Sequence, residues 1–345
     1  MSLVQLNTKY NTDCKKLLDY CNSLISSILS SRVSAIIKNT QINKIKNNFN
    51  AQLILLKNKL NADILSLKTT ASASAPPQVV VVPANISLVV TPKQGKKALC
   101  VGINYMGSPY QLSGCIADAN NIKEKLLEKY GFIDADILEI TDESQLKPTK
   151  TTILNEFKNL LVNAKPNDLL LFTFSGHGSQ TTDLNGDEKD HLDEMIVSID
   201  LQSILDDNLN SMIKTYLTAS NVSLIVIFDS CHSGTMIDLK YQYFDTLNNN
   251  LTTINPNYTE TACNVVMLSG CLDSQTSADA YINNKSQGAM TWAFLNSLNF
   301  NPTISWKDLI LNMRSLLQSS QYPQIPQLSS GKILNTEASV FTFNI

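Results

Sequence analysis

The sequence predicts an α/β domain with a largely parallel central sheet, preceded by a helical segment at the N-terminus. From residue 97 onward, short runs of Leu, Ile, Val and Phe alternate with amphipathic helical patterns, which is typical of strand–helix–strand units. Two runs, 168–174 and 223–228, are almost continuously apolar, as in parallel strands that are buried on both faces. With 345 residues, the chain can bury a sizeable core without disulfides or structural metals.

The predicted elements of this domain follow one another in a simple order. Each strand candidate is a short apolar run, and each helix candidate carries apolar residues three and four positions apart. Strands are expected at 98–103, 136–140, 168–174, 223–228 and 264–269, helices near 117–129, 151–163 and 289–298, and a closing strand at 340–343.

Residues 1–68 have a different character, because they include no Gly and no Pro. Apolar residues recur at a seven-residue interval, which predicts one apolar face on a long helix or a helical hairpin. A prodomain-like packing or regulatory segment is the favoured interpretation, and a partner-binding coiled coil or self-association is the alternative. The residues at this interval are Cys21, Ile28, Ala35, Ile42, Phe49 and Leu56.

Residues 69–96 are rich in Pro, Ala, Ser and Val, which indicates an extended linker. This linker separates the helical segment from a domain at 97–345. We therefore expect a chain that begins near Pro92 to fold as a monomer and to keep the activity of the domain.

The composition argues against several classes of function. A formal net charge of −3 provides no basic footprint for nucleic acid or anionic lipid. No apolar run reaches the roughly 18 residues that a membrane span needs, and the N-terminus does not read as a signal peptide, so a cytoplasmic protein is expected. The seven cysteines are scattered and include no CxxC pair, which disfavours a disulfide framework and a structural zinc site.

Two of the predicted strands run into sequences that suit nucleophilic catalysis. The first leads into His177, which has glycines on both sides, and the second leads into Cys231 in a turn rich in Ser and Gly. Because the carboxyl ends of neighbouring parallel strands meet at one edge of a sheet, this thiol and this imidazole are expected to lie side by side. They would then form a nucleophile with its base.

The remaining cysteines and histidines have simpler interpretations. Cys100, Cys263 and Cys271 are expected to be small core residues, which makes Cys231 the sole essential thiol. His191 lies in an acidic loop and is expected to be solvated. His232 could compete as the base, but a residue next to the nucleophile usually points away from it.

The blocks around His177 and Cys231 resemble the two signature blocks of metacaspases, the caspase-like cysteine peptidases. Further blocks follow in the order of that family, and the resemblance extends from about residue 97 to the C-terminus, with a continuous layout like that of type I members. The resemblance implies a caspase-like α/β/α sandwich with endopeptidase activity. The blocks are 101–105, 112–119, 175–180, 187–194, 229–234 and 269–280.

The resemblance also implies roles for matching positions. Cys231 is similar to the nucleophile, His177 to the general base, and the amide of Gly178 to an oxyanion donor. Two carboxylates in the pocket predict cleavage after Lys or Arg, although Asp229 could instead only cap the turn that follows it. The positions similar to the specificity pocket are Cys115, Asp118, Ser175 and Asp229.

An acidic stretch at 183–194 partly matches an EF-hand loop, but Glu188 stands where that loop needs Gly, so we reject an EF-hand. The resemblance implies instead that Ca²⁺ binds four aspartates and activates the enzyme, whereas Zn²⁺ would inhibit by binding the dyad. The simpler alternative for each residue is a solvated surface acid. The four positions are Asp193, Asp206, Asp207 and Asp238.

Two other functions compete with that of an active peptidase. The first is a caspase-fold scaffold or regulator that acts through its helical segment, and the second is a different cysteine hydrolase or acyltransferase. The absence of a GxSxG elbow disfavours the second. The resemblance further implies self-processing and a role in programmed cell death. Exposed candidates for self-cleavage are Lys93, Lys96, Lys97, Lys240 and Lys285.

Overall fold

A computed structural model describes residues 9–10, 12, 15–16, 95–183, 186, 191–246, 251–275, 277–282 and 285–341. The chain divides into two units, Met1–Val89 and Val90–Ile345, and nearly all of the described residues belong to the second. The predicted helical segment 1–68 and linker 69–96 lie almost entirely outside the described residues and stay predictions. The five described residues before residue 95 are helical.

The second unit begins with strands and helices that alternate as far as its third strand. The strands are β1 Lys96–Gly102, β2 Ile137–Thr141, β3 Leu169–Ser175, β4 Gly178–Thr182, β5 Leu192–Val197, β6 Ser203–Leu205, β7 Ser223–Asp229, β8 Tyr241–Asp245, β9 Leu251–Ile254, β10 Asn264–Ser269, β11 Asp279–Ile282, β12 Lys285–Gly288 and β13 Gln327–Ser330. The helices are α1 Cys115–Lys129, α2 Lys150–Val162, α3 Asp206–Tyr216, α4 Ala289–Phe300 and α5 Trp306–Ser319.

The main sheet has eight strands in the order β2-β1-β3-β7-β10-β13-β8-β9. Strands β2, β1, β3, β7 and β10 are parallel, and β13, β8 and β9 continue the sheet in antiparallel pairs. Apolar residues of α1, α4 and α5 pack on one face, and those of α2 and α3 pack on the other. The predicted sandwich with a largely parallel sheet is thus confirmed.

The central strands β3 and β7 are buried along their whole length, as their continuous apolar sequences predict. Successive side chains of a strand point to opposite faces, so Leu171 joins the core under α1, while Leu170 and Phe172 join the core under α2. The Phe172 ring lies 4.7 Å from that of Phe157 and 5.9 Å from that of Phe228. These rings anchor the strands that carry the site.

The predicted closing strand at 340–343 is wrong at its two described residues, whereas 342–343 lie outside the described residues. The antiparallel partner of β10 is β13, and Val340 and Phe341 lie in a turn, where both are buried. The Phe341 ring packs 4.0 Å from that of Tyr130. The apolar residues therefore signalled burial in the core, and burial alone does not distinguish a strand from a turn.

The other strands and helices predicted between residues 97 and 300 are present, with ends that move by one or two residues. Among the described residues, no helix has both the length and the apolar character that crossing a bilayer requires.

Candidate functional site

The pairing of β3 with β7 brings the two signature loops together. Ser175 ends β3 and faces Asp229, which ends β7, so His177 and Cys231 each lie two residues beyond the same rung of the sheet. Both residues line one pocket of about 110 Å³. The structure therefore places the imidazole and the thiol at a common surface.

The imidazole of His177 is held by a backbone carbonyl. Its Nε2 lies 2.7 Å from the carbonyl oxygen of Tyr110. Because a carbonyl oxygen can only accept a hydrogen bond, Nε2 carries the proton and the neutral ring keeps Nδ1 as its acceptor. This tautomer can take a proton from a thiol, which is what a general base must do.

The thiol of Cys231 is the partly exposed one among the described cysteines, since Cys100, Cys115, Cys263 and Cys271 are buried. Its Sγ lies 3.7 Å from the carbonyl oxygen of Ser277, and burial raises the pKa of the thiol. The resting group is therefore a thiol, and a base has to remove its proton before attack.

The alternative base, His232, is engaged elsewhere. Its Nδ1 lies 2.5 Å from the carbonyl oxygen of Asp273, and its backbone has a left-handed φ of 50°. His232 is not among the residues that line the pocket with Cys231. His191 is exposed, as the sequence predicts.

Gly178 packs directly against the nucleophile. A Cβ atom on Gly178 would lie 2.0 Å from the carbonyl oxygen of Cys231, so only glycine fits here. Gly178 therefore lies next to the Cys231 thiol. The role of its amide as an oxyanion donor stays a prediction.

Two buried carboxylates lie at the base of the pocket, with Asp229 lining it and Asp118 behind it. Asp118 accepts hydrogen bonds from the Ser175 hydroxyl at 2.7 Å and from the Gly288 amide at 3.0 Å. Asp229 accepts from the Ser277 hydroxyl at 2.5 Å and from the Thr291 amide at 2.7 Å.

Gly288 lies close to both acids. A Cβ atom on Gly288 would lie 2.1 Å from Oδ2 of Asp229 and 2.7 Å from Oδ2 of Asp118. Asp229, Ser175 and Cys115 line the pocket, whereas Asp118 lies one layer behind them.

The base of the pocket is electrostatically unbalanced. Burial raises the pKa of Asp118 well above its ordinary value, and the nearby charge of Asp229 adds to that effect. Burial likewise raises the pKa of Asp229. No Lys, Arg or His side chain of the described residues lies within 4.0 Å of either carboxylate. A cation that enters the pocket would therefore be stabilised by two acids that lack a basic partner.

The hydrogen-bond partners of Asp229 show which element its carboxylate caps. Its carboxylate binds the amide of Thr291 in the first turn of α4, far along the chain, and the backbone amide that Asp118 binds belongs to the N-cap residue of the same helix. Both acids thus lie at the positive end of α4, which favours a negative charge there.

Several pocket residues were not assigned from the sequence. Ser277 and Asp279 belong to a block noted above, but nothing in the sequence shows that β11 and β12 fold back over Cys115. Asp279 accepts from the Ser113 amide at 2.7 Å at the exposed rim. Gly288 gave no signal, because its importance comes from the two carboxylates that lie close to it.

The four aspartates predicted to bind Ca²⁺ lie on elements next to this site. Asp193 is in β5, Asp206 and Asp207 begin α3, and Asp238 follows the Cys231 loop. Asp193, Asp206 and Asp238 are buried and Asp207 is half-buried, so three of them are not solvated surface acids.

The arrangement of these acids fits a cation only in part. Their carboxylate oxygens are the ligands that Ca²⁺ prefers. However, no group of three or more His, Cys, Asp or Glu side chains in the described part of the chain is arranged to hold a metal ion. The amide of Glu194 donates to Asp206 at 2.9 Å, and the amide of Asp207 donates to it at 2.7 Å.

Glu194 links this acidic region to both signature loops. Its carboxylate binds the Gln180 amide group at 2.9 Å and the Thr235 hydroxyl at 2.6 Å. Burial, followed by the negative charges of Asp273 and Asp206, raises the pKa of Glu194 to about 9. This fully buried group therefore holds a proton at neutral pH.

Comparisons with known proteins agree with the geometry. The family described as "Metacaspase, peptidase C14 domain" matches residues 96–240, a range that includes both signature loops. The chain is similar to Metacaspase-1 of Kluyveromyces lactis, with 37% identity over 70% of this chain and 67% of that protein. It is similar to Metacaspase-1 of Ajellomyces capsulatus at 37% identity, over 70% of this chain and 81% of that protein.

A solved structure shares the fold. The protein GSU0716 from Geobacter sulfurreducens superposes with a TM-score of 0.54 at 21% identity, over 72% of this chain and 98% of that one. Caspase-1 from Spodoptera frugiperda superposes with a TM-score of 0.42 at 12% identity, over 73% and 94% of the two chains.

Replacing Cys231 with Ala should abolish peptide turnover, because this is the accessible thiol at the pocket. Cys263→Ala is the matched control, since that thiol is buried and contacts the carbonyls of Leu217 and Ala219. Iodoacetamide should modify Cys231 first, with a rate that still increases above pH 9, the ordinary pKa of a thiol. Labelling of another cysteine with loss of activity, mapped by mass spectrometry, would contradict the assignment.

Replacing Glu194 with Gln should make stability less dependent on pH. The folded chain holds the Glu194 proton up to about pH 9, whereas the unfolded chain releases it near pH 4.5. Its contribution is therefore complete below pH 4.5 and is lost as the pH rises to about 9, by up to about 1.4 kcal/mol per pH unit.

Urea unfolding from pH 5 to pH 9 in EGTA measures this difference. Glu128→Gln is the control, because that side chain is 61% exposed. Parallel curves for wild type and Glu194→Gln would show that Glu194 is already ionised in the folded chain.

Proposed function

Because the chain belongs to the metacaspases, a family of cysteine peptidases, we propose that it is an endopeptidase that cleaves after Lys or Arg. The observation that supports this specificity is the pair of buried acids, Asp118 and Asp229, which have no basic partner within 4.0 Å among the described residues. A cationic side chain beside Cys231 would neutralise them. The carboxylate of an Asp side chain would instead bring a further acid into a site that has no basic partner.

The chemistry follows from the two groups at the rim of the pocket. His177 takes the proton of the Cys231 thiol on Nδ1, and the sulfur attacks the carbonyl carbon of the scissile bond. The protonated His177 then gives this proton to the leaving amine as the C–N bond breaks, which leaves a thioester. Water hydrolyses the thioester, with His177 accepting a proton from the water and returning it to the sulfur.

The shape of the pocket distinguishes Arg from Lys. The planar guanidinium offers donors in several directions, whereas the ammonium of Lys is a single compact charge. Since Oδ2 of Asp229 and Oδ2 of Asp118 both lie close to the same point beside Gly288, the fork of guanidinium donors can address both acids, and we expect Arg to be preferred with Lys accepted.

Replacing Asp229 with Asn should lower kcat/KM for a peptide with Arg before the scissile bond by about 100-fold or more, which corresponds to about 2.7 kcal/mol. The physical reason is the loss of one buried negative charge beside the cation. A matched peptide with citrulline, the uncharged analogue of Arg, should lose much less. Initial rates on both peptides, for wild type and variant, provide the measurement.

The citrulline peptide separates charge recognition from the capping of α4. Equal losses on both peptides would mean that Asp229 only anchors the helix. Asp308→Asn serves as the control for a surface acid, because Asp308 lies in the first turn of α5, away from the pocket. Efficient cleavage after Asp would contradict the proposed specificity altogether.

We also propose that Ca²⁺ stimulates the enzyme through Asp193, Asp206, Asp207 and Asp238. The support is the burial of three of these acids on adjoining elements, together with the suitability of carboxylate oxygens for this ion. Since they do not form a ready-made cluster, binding would have to draw the start of α3 and the turn at Asp238 together. Asn210 already joins these two elements, because its side chain donates to the Ile237 carbonyl at 2.7 Å.

Calcium should raise both the melting temperature and the rate of peptide cleavage, and EGTA should reverse both effects. Asp238→Asn should need a Ca²⁺ concentration at least about tenfold higher for the same shift, because it loses one anionic ligand. The exposed Asp134 provides the control variant, Asp134→Asn. Undiminished activity in EGTA would remove calcium from the mechanism.

Self-processing remains part of the proposal, with a changed set of cleavage sites. Lys96 and Lys97 are half-buried in β1, where their ammonium groups bind the carbonyls of Tyr130 and Asn163. The expectation that these two residues are exposed is therefore wrong. They are also unsuitable as cleavage sites, because a strand inside the sheet cannot enter the pocket. Lys93 lies outside the described residues, and Lys240 lies in the turn before β8.

A further inference from the structure

Tyr105 has an unusual backbone and an unusual position. It follows β1 with a φ of 51°, in the left-handed region that favours glycine, and its side chain is only 2% exposed. Such conformations persist only where the surroundings impose them, and they cluster at functional sites. Here the carboxylate of Asp142 accepts the amides on either side, from Asn104 at 2.7 Å and from Met106 at 2.9 Å.

The hydroxyl of Tyr105 joins three segments of the site. It accepts a hydrogen bond from the backbone amide of His177 at 2.9 Å and donates one to the carbonyl oxygen of Val197 at 2.6 Å. The Val197 amide in turn donates to the His177 carbonyl at 3.0 Å. Both backbone polar groups of His177 are therefore fixed, one by the tyrosine and the other by the end of β5.

The ring of Tyr105 also contacts the imidazole. The two ring centroids lie 4.7 Å apart at an angle of 39°, and Tyr110 approaches the imidazole edge-on at 6.4 Å. Gly176 makes room for this contact, since a Cβ atom there would lie 2.9 Å from the Tyr105 hydroxyl oxygen. The ring and the hydroxyl thus act on the same residue, one on its side chain and the other on its backbone.

We propose that the Tyr105 hydroxyl is a positioning group for His177, which sets the imidazole so that Nδ1 faces the thiol while Nε2 stays on the Tyr110 carbonyl. Tyr105 does not touch the substrate and moves no proton. The inference rests on His177 acting as the general base. Misplacing a general base by a fraction of an ångström slows proton transfer without changing how the pocket binds the substrate side chain.

Tyr105→Phe removes the hydroxyl and keeps the ring. We expect kcat per active site to fall about 10- to 100-fold, with KM within about twofold of the wild-type value. The rate of Cys231 alkylation by iodoacetamide, which does not use the specificity pocket, should fall as well, and its pH profile should move toward that of His177→Ala. Titration of active sites with an irreversible Arg-peptide chloromethyl ketone corrects for any misfolded fraction.

Tyr130→Phe is the matched control, because its hydroxyl is also buried but has no hydrogen-bond partner among the described residues and lies in the other core. A purely structural role for Tyr105 would lower the melting temperature and the fraction of titratable sites while leaving kcat per site and the alkylation profile unchanged. That outcome overturns the inference, as does an equal loss of kcat in Tyr130→Phe.

Asp142→Asn tests the same loop if Tyr105→Phe does not fold. An amide side chain can accept at only one of the two positions that the carboxylate fills, so a smaller loss of kcat, again with KM preserved, is expected. Unchanged kcat in this variant contradicts the inference. Retained activity in His177→Ala would refute the dyad itself, whereas an inactive His177→Ala with a fully active Tyr105→Phe refutes only the role of the hydroxyl.

Discussion

The parallel register of β3 against β7 determines where the chemistry can occur. It pairs Phe174 with Phe228 and Ser175 with Asp229, so both strands end at the same rung. Each loop then needs only two more residues to reach its reactive side chain. A shift of this register by one residue would turn the apolar side chains of β7 to the opposite core and separate the imidazole from the thiol, so the packing of the core also protects the geometry of the dyad.

The specificity pocket places two buried acids where they cost stability. Their pKa values are raised by burial, which means that the folded chain holds the ionised forms less readily than water does. The N-terminus of α4 offsets part of this cost, since the amides of Gly288 and Thr291 donate to Asp118 and Asp229. Under the proposed specificity, the remaining imbalance would favour a cationic side chain of the substrate, because such a side chain supplies the positive charge that the two acids lack.

The sequence predicted those strands and site residues that a local pattern of residues can encode. Continuous apolar runs identified β3 and β7, and the residues that follow them identified His177 and Cys231. The pocket could be predicted only in part, because Gly288 and Ser277 act through contacts across a hairpin whose sequence is polar and has no marked period. Val340 and Phe341 show the opposite error, since apolar residues that fill a core from a turn look like a strand. Long-range contacts decided every such case.

A single buried side chain connects the acidic region with the dyad. Glu194 binds Gln180, three residues after His177, and Thr235, four residues after Cys231, while its amide binds Asp206 at the start of α3. These bonds form a short path, so we expect a displacement at Asp206 to move β5, which contacts both loops through Glu194. Because Val197 at the end of β5 also binds His177 and Tyr105, the same strand reaches the base directly. If Ca²⁺ binds there as proposed, its effect should fall on the relative position of base and nucleophile, and hence on kcat before KM.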